Sequence, residues 1–292
     1  MKFSRPLPFT LAFALGIALT IAASPAARGD GILPQVAARK TLRVGMLPGL
    51  APFVAAGPDA DALRRLLGDR APPVEHATDG RAVCGFDVQL AAEAARALHA
   101  RLEIVLVDKL DDLLAGVRAG RFDVVMSALT RTLDRAISVG FSDPYFSSGL
   151  QVLVRDPQRF DTLEAVRAPG VRVAYRDGTT AAAFVDRELA QAARVPFSDD
   201  TALYRAMDDA RAADAFVIDY VSARDAEVRG RVQTRLAAVE ERRFTSEQFA
   251  FAVKPGDPDW LDWLNLFLRE MKTSGAFHKL ASRYNPWFRN QQ

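Results

Sequence analysis

Three short stretches of this 292-residue chain carry polar side chains that sit oddly with their local positions. In residues 122–151 (FDVVMSALTRTLDRAISVGFSDPYFSSGLQ), a strand through Phe122, Val124, Val125 and Met126 runs into a small-residue turn at Ser127 and Ala128. A hydroxyl follows at Thr130, then a short helix with Thr132 as N-cap and Arg135 in its first turn. A cation there opposes the helix dipole. It is explained if an anion rests against the helix start, where free backbone N–H groups already favour negative charge. The second stretch, Gly178-Thr179-Thr180, follows a strand at residues 172–175 and opens a helix, so backbone amides and two hydroxyls face one point. The third is Asp219, placed directly after Ala215-Phe216-Val217-Ile218. A carboxylate at the end of a buried strand needs a partner or must neutralise.

Each stretch alone has a plain structural reading: a solvated Arg135, a helix cap at Thr179, an ion pair for Asp219. Together they are more specific. Arginine and hydroxyls suit a carboxylate, and an aspartate suits an ammonium. These are the two poles of an α-amino acid, and a ligand held at both ends would draw together the elements that carry them.

Other chemistry is poorly served. The histidines, His76, His99 and His278, stand beside no Ser or Cys nucleophile in a recognisable pattern. No metal-ligand spacing occurs, and no phosphate-cradling loop is followed by a lysine. No cofactor and no catalytic residue is therefore expected. The pair Asp111-Asp112 reads as helix N-capping. A net charge of +2, with basic residues scattered, excludes a nucleic-acid-binding face.

Lys2 and Arg5, an apolar core at residues 9–23 and small residues at 22–27 read as a signal peptide over residues 1–27. The apolar run is short for a membrane span. An exported, soluble, periplasmic protein is expected. The single cysteine, Cys84, cannot form an internal disulfide and lies far from the leader, so no cysteine there carries a lipid. Cys84 itself reads as a small buried hydrophobe.

The elements that must position these side chains alternate regularly. A strand at residues 41–46 leads to a Pro/Gly loop at 47–53. Residues 54–83 are polar and Pro-punctuated, with one short helix at 59–67 through Leu63, Leu66 and Leu67; such a connection is functional or disordered. A helix capped by Asp87 runs to about residue 100, followed by a strand at 102–107, a helix at 111–119 and a strand at 122–126. The rhythm restarts with strands at 172–175, 195–197 and 215–218 separated by helices at 181–189 and 201–212, then strands at 235–239 and 249–253 and helices at 259–271 and 276–284. This predicts an α/β fold of two lobes, each a mostly parallel sheet flanked by helices, joined by two crossings. Lobe 1 spans residues 31–147 plus 252–292, with an insertion at 54–84, and lobe 2 spans 148–251. Ligands bind between such lobes, beyond the carboxyl ends of the strands.

Gly85-Phe86-Asp87-Val88, Gly120-Arg121-Phe122-Asp123, the run from Thr130 to Arg135, Phe141-Ser142-Asp143-Pro144-Tyr145 and Gly178-Thr179-Thr180, in that order, resemble the periplasmic solute-binding proteins of polar amino acid ABC transporters, family 3, with the type II two-lobed fold. The resemblance covers most of residues 42–288. It implies that Thr130 and Arg135 bind the ligand α-carboxylate with help from Thr179 or Thr180, and that Asp219 binds the α-amino group. It also implies contacts from the Ser127 side chain and the Ala128 backbone. Leu50 stands where the family often has an aromatic that stacks on the ligand. Leu47 stands where binders of basic amino acids carry an acidic residue, which points away from lysine, arginine or histidine.

The implied function is capture of an amino acid for delivery to a membrane ABC permease, by a monomer with no enzymatic activity. Two alternatives share the fold. One is an exported cyclohexadienyl dehydratase-like enzyme, for which Asp219 or Glu247 would have to supply a general acid. The other is an accessory protein that keeps the fold but docks on a periplasmic dehydrogenase, a reading supported by the 54–84 insertion and the lack of a ligand-stacking aromatic.

Overall fold

In a computed structural model of the protein, residues 31–288 are described; the signal peptide expected at residues 1–27 lies outside them. Helix α1 (Ile32–Arg39) leads into β1 (Thr41–Met46). Residues 54–84, expected as an insertion, follow as β2 (Ala55–Ala56), α2 (Pro58–Leu67), β3 (Glu75–His76) and β4 (Ala82–Cys84). Next come α3 (Phe86–Ala97), β5 (Arg101–Leu106), α4 (Leu110–Arg118), β6 (Val124–Val125), α5 (Leu133–Ala136) and β7 (Gly140–Phe141). A first crossing strand, β8 (Phe146–Ser148), opens the second half. That half holds β9 (Leu150–Val154), α6 (Leu163–Arg167), β10 (Arg172–Arg176), α7 (Thr180–Glu188), β11 (Ala193–Phe197), α8 (Asp200–Asp208), β12 (Ala215–Asp219), α9 (Tyr220–Val228) and β13 (Ala237–Ala238). The chain returns through β14 (Glu247–Phe249) to β15 (Ala252–Val253), α10 (Pro258–Thr273), α11 (Ala276–Ser282) and α12 (Asn285–Phe288).

Two five-stranded sheets result, ordered β5-β1-β6-β15-β7 and β11-β10-β12-β9-β13. Each has a parallel heart, β5-β1-β6 in one and β11-β10-β12 in the other, and gains an antiparallel strand that directly follows a crossing, β15 after β14 in the first and β9 after β8 in the second. Both are therefore mixed sheets flanked by helices, the α/β two-lobed architecture. The crossings β8 and β14 pair antiparallel, Phe146 opposite Phe249. They run so close beyond that pair that a side chain at Gly149 would meet the Thr245 carbonyl at 2.3 Å.

Packing explains the first sheet. Phe122 wedges between β1 and α4, where Cβ atoms on Gly45 and Gly116 would come within 2.5 and 2.4 Å of its ring. The next residue, Asp123, is fully buried and paired with Arg39 and Arg43, and its carbonyl accepts the Trp260 indole N–H at 3.0 Å. Apolar and aromatic residues of α10 to α12, including Trp260, Leu264, Tyr284 and Trp287, bury themselves in the same core. The second sheet has its own core around Val173, Val185 and Val217.

Residues 54–84 form regular elements rather than a disordered connection. β2, β4 and β3 form a small antiparallel sheet, and α2 buries Leu63 and Leu67 while Leu66 stays half exposed. Strands of two or three residues carry no periodicity to read, which is why the segment looked irregular. Asp59 on α2 reaches Arg229 and Arg231, just beyond α9, so the insertion is fastened to the second half of the molecule. Cys84 is buried, as expected. No helix among the described residues is long and apolar enough to cross a membrane.

Candidate functional site

A cleft of about 350 Å³ opens between the two sheets, and all eight residues singled out from the sequence line it: Leu50, Ser127, Ala128, Thr130, Arg135, Thr179, Thr180 and Asp219. The first five come from the segments after β1 and β6, Arg135 from α5. The others come from the carboxyl ends of β10 and β12, as the placement rule for parallel strands requires.

Arg135 is the cation of the first wall. Thr132 caps α5 by accepting the Arg135 amide at 3.2 Å, and the Arg135 Nη1 donates to the Thr130 carbonyl at 2.7 Å. No carboxylate forms an ion pair with it among the described residues. Burial lowers its pKa from the ordinary value, while Glu247 and Asp111 at longer range oppose that shift. The loop that presents Thr130 is zipped to the second crossing: Arg131 N–H donates to the Gln248 carbonyl and Ala250 N–H to that of Leu129.

Asp219 is the anion of the second wall. It is the N-cap of α9, a helix not foreseen from the sequence, and its Oδ1 accepts the Val221 amide at 2.8 Å. Its Oδ2 is buried without a well-formed hydrogen bond, and the equally unpaired Ser148 hydroxyl stands close enough to favour the charged form. Burial pushes its pKa up to about 6. An oxygen left this way costs free energy until a donor arrives, and an ammonium is the donor that also restores the charge.

The geometry separates residues that sequence could not. The Thr179 hydroxyl is committed to the chain, accepting from Ala181 N–H at 3.3 Å and donating to the Arg176 carbonyl at 2.7 Å. Thr180, the first residue of α7, makes no such bond and is the hydroxyl available to a ligand. Ser127 is likewise occupied: its Oγ accepts the Leu47 amide at 2.8 Å, so it ties the end of β6 to the end of β1. Ala128 has φ 45° and gives its N–H to Asp87 Oδ2 at 2.6 Å, which leaves its carbonyl for the cleft.

Asp87 is not the helix cap expected. Gly85 holds the N-cap position of α3, and the fully buried Asp87 carboxylate instead accepts from Ala128 N–H and from the Tyr145 hydroxyl at 2.9 Å. Burial pushes its pKa up to about 7. Asp111 and Asp112 are corrected too: they lie in the first turn of α4 without a side-chain cap bond, and Asp111 lines the cleft. Glu247, a suggested acid, is buried on β14, accepts from Thr245 and does not line the cleft.

Sequence reasoning missed Lys109, Asp108, Asp177 and the pair Arg176–Asp200, all of which reach the cleft. Aspartates thus enter from positions other than Leu47, and apolar walls come from Leu47, Leu50, Phe53, Leu203 and Phe249. Among the described residues, no group of three His, Cys, Asp or Glu side chains is placed to hold a metal.

The model of bacterial extracellular solute-binding proteins, family 3, matches residues 63–288. The chain belongs to that family. Cyclohexadienyl dehydratase of Pseudomonas aeruginosa is 28% identical over 221 residues, covering 74% of this chain and 78% of the relative. The L-cystine-binding protein TcyJ of Escherichia coli is 26% identical over 260 residues, covering 89% and 86%. The crystal structure of the ancestral amino acid-binding protein AncCDT-1, a precursor of cyclohexadienyl dehydratase, superposes with a TM-score of 0.71 at 29% identity, covering 89% of this chain and all of that one. Family relatives with binding names, such as histidine-binding periplasmic proteins, stand beside a dehydratase on one architecture.

Proposed function

We propose that the protein is a non-enzymatic periplasmic receptor that captures an amino acid between lobe 1 (31–147 plus 252–292) and lobe 2 (148–251) and hands it to a membrane ABC permease. One observation carries this reading. A partly buried guanidinium without an ion-pair partner among the described residues and a buried carboxylate oxygen without a well-formed hydrogen bond line the same cleft. An α-amino acid supplies the missing carboxylate and the missing ammonium at once. Arg135, Thr130 and Thr180 hold the carboxylate, with Thr179, Ser127 and the Ala128 backbone shaping that wall, and Asp219 holds the ammonium. Binding both ends draws the lobes together as a monomer.

Names borne by relatives support the class of ligand: histidine, cystine and, in a binding component from Wolinella succinogenes complexed with it, lysine. A thermal-shift screen with the twenty amino acids and cystine tests the reading. A rise in melting temperature with at least one is expected, and no rise with any at millimolar concentration would overturn it.

A dehydratase is the second reading, favoured by the relative from Pseudomonas aeruginosa and by a cleft-facing carboxyl whose pKa is about 6. Such a group can hold a proton near neutral pH and act as general acid. Turnover of prephenate by the purified protein would establish it, and absence of product would remove it.

A further inference from the structure

Arg176 and Asp200 form the only ion pair between two cleft-lining side chains among the described residues, and the recognition of one amino-acid head leaves them unused. Both are mostly buried, with side chains 15% and 11% exposed. Their joint is thin for a purely structural pair. A single hydrogen bond runs from Arg176 Nη1 to Asp200 Oδ2 at 3.2 Å, where a fork-to-fork arrangement would make two. The remaining guanidinium donors and Asp200 Oδ1 have no partner among the described residues. Desolvating such a pair gives little net stability, so its presence calls for another account.

The pair offers donors for a carboxylate and an acceptor for an ammonium, the same two functions that Arg135 and Asp219 supply. It also lines the same cleft. β10 and β12 run parallel with Tyr175 opposite Val217, so Arg176 falls next to Ile218 and one residue short of Asp219. Adjacent strands are about 4.8 Å apart. Both sets of amino-acid anchors line one cleft, which suits two amino-acid heads joined through a short spacer.

Building on the reading of Arg135 and Asp219 as anchors of one head, we propose that the ligand is a diaminodicarboxylic acid, its second carboxylate held by Arg176 and its second ammonium by Asp200. A ligand with a lone second carboxylate would face Asp200, and one with a lone second ammonium would face Arg176. Each of these halves meets a like charge, so the cleft discriminates against both.

Calorimetric titration of the full chain compares L-cystine and meso-diaminopimelate with L-lysine, which lacks the second carboxylate, and L-2-aminopimelate, which lacks the second ammonium. At least one two-headed ligand is expected to bind about 30-fold or more tightly than either one-headed ligand, the scale expected when a buried charged partner is missing. Arg176→Gln and Asp200→Asn should each collapse that preference from both sides: two-headed ligands lose a partner, while L-lysine gains on Arg176→Gln and L-2-aminopimelate on Asp200→Asn, each freed of a like charge. Equal or tighter binding of one-headed amino acids by the native protein overturns this inference and leaves the receptor reading standing. A preference that survives both substitutions also overturns it. If no amino acid of any kind binds, both fall together. The comparison of ligands on the native protein stands even if a variant fails to fold.

Discussion

The carboxylate of Asp87 accepts the backbone N–H of Ala128 at 2.6 Å, and so fastens the start of α3 to the floor of the cleft. Ala128 is held in the left-handed region, which a residue with a Cβ adopts reluctantly, and the bond is what compensates for it. The same carboxylate receives the Tyr145 hydroxyl from the segment that leads into the first crossing. Asp87→Leu is therefore expected to strand a buried amide and a buried hydroxyl, at about 1–3 kcal/mol each. The melting temperature should fall by several degrees, and ligand affinity should fall with it. Asp87→Asn keeps an oxygen for Ala128 and should do far less damage. Equal melting temperatures and affinities for the two variants would show that Asp87 does not set the loop.

Arg135 should behave differently, because the proposed function makes it a binding group rather than a scaffold. With no carboxylate paired to it in the described structure, replacement by methionine removes a desolvated charge and keeps most of the apolar stem. The unliganded variant should melt no lower than the native protein. Amino acid binding should weaken by about 2–5 kcal/mol, read by calorimetry. A variant that melts several degrees lower yet binds normally would make Arg135 a structural residue.

The pH response follows from Asp219, whose pKa stands at about 6 against an ordinary value of 3.8. Between those values the folded protein keeps a proton that the unfolded chain has released. Stability from this group is therefore greatest below the ordinary value and falls as pH rises toward 6. Asp87 and Asp225, pushed up to about 7 and about 6, act in the same direction. Asp219→Asn should melt higher than the native protein at pH 7.5, with the gap closing near pH 4. Ligand binding runs the other way, because the ammonium needs the ionised form. Affinity should drop by roughly tenfold per pH unit below 6, and an affinity that stays level down to pH 4.5 would separate Asp219 from the ammonium.

What could be read from the chain was chemistry out of keeping with its position: a cation at a helix start, a carboxylate after an apolar strand, a glycine–threonine turn. Those signals are local, and Arg135, Thr180 and Asp219 came from them. The partners that could not be read are distant ones. Asp87 meets Ala128 from 41 residues away and Tyr145 from 58, so its own helix offered the only visible role, as a cap. Arg176 and Asp200 are 24 residues apart on a strand and a helix, and become a pair only when both reach one cleft. The two threonines of Gly178-Thr179-Thr180 are equivalent on paper. Capping geometry alone separates the one that closes the helix from the one whose hydroxyl is left to the cleft.

The insertion yields the last prediction. Asp59 accepts from Arg231 at 2.7 Å and from Arg229 at 3.1 Å, across 172 and 170 residues of chain. Arg229 and Arg231 also lie within ion-pair distance of the buried Asp225, whose Oδ1 accepts the Trp287 indole N–H at 3.0 Å. The insertion, α9 and α12 thus meet in one cluster, and Phe288, the last residue of α12, packs on Phe146 of the first crossing. Any rotation of one lobe against the other about β8 and β14 must strain or slide this cluster. Burial works to raise the pKa of Asp59, but its two arginines outweigh that and hold it below the ordinary value, so its contribution is present at neutral pH and lost only in acid. Asp59 is partly exposed, and solvent screening limits its worth to about 1 kcal/mol. Asp59→Asn should therefore lower the melting temperature by a few degrees at most at pH 7. It should also change ligand affinity without altering the order of preference among ligands, because it shifts the balance of open and closed forms and touches no ligand atom. Small-angle scattering of the unliganded variant should show a changed radius of gyration. If affinity and radius both stay at native values, the cluster is only a structural clasp.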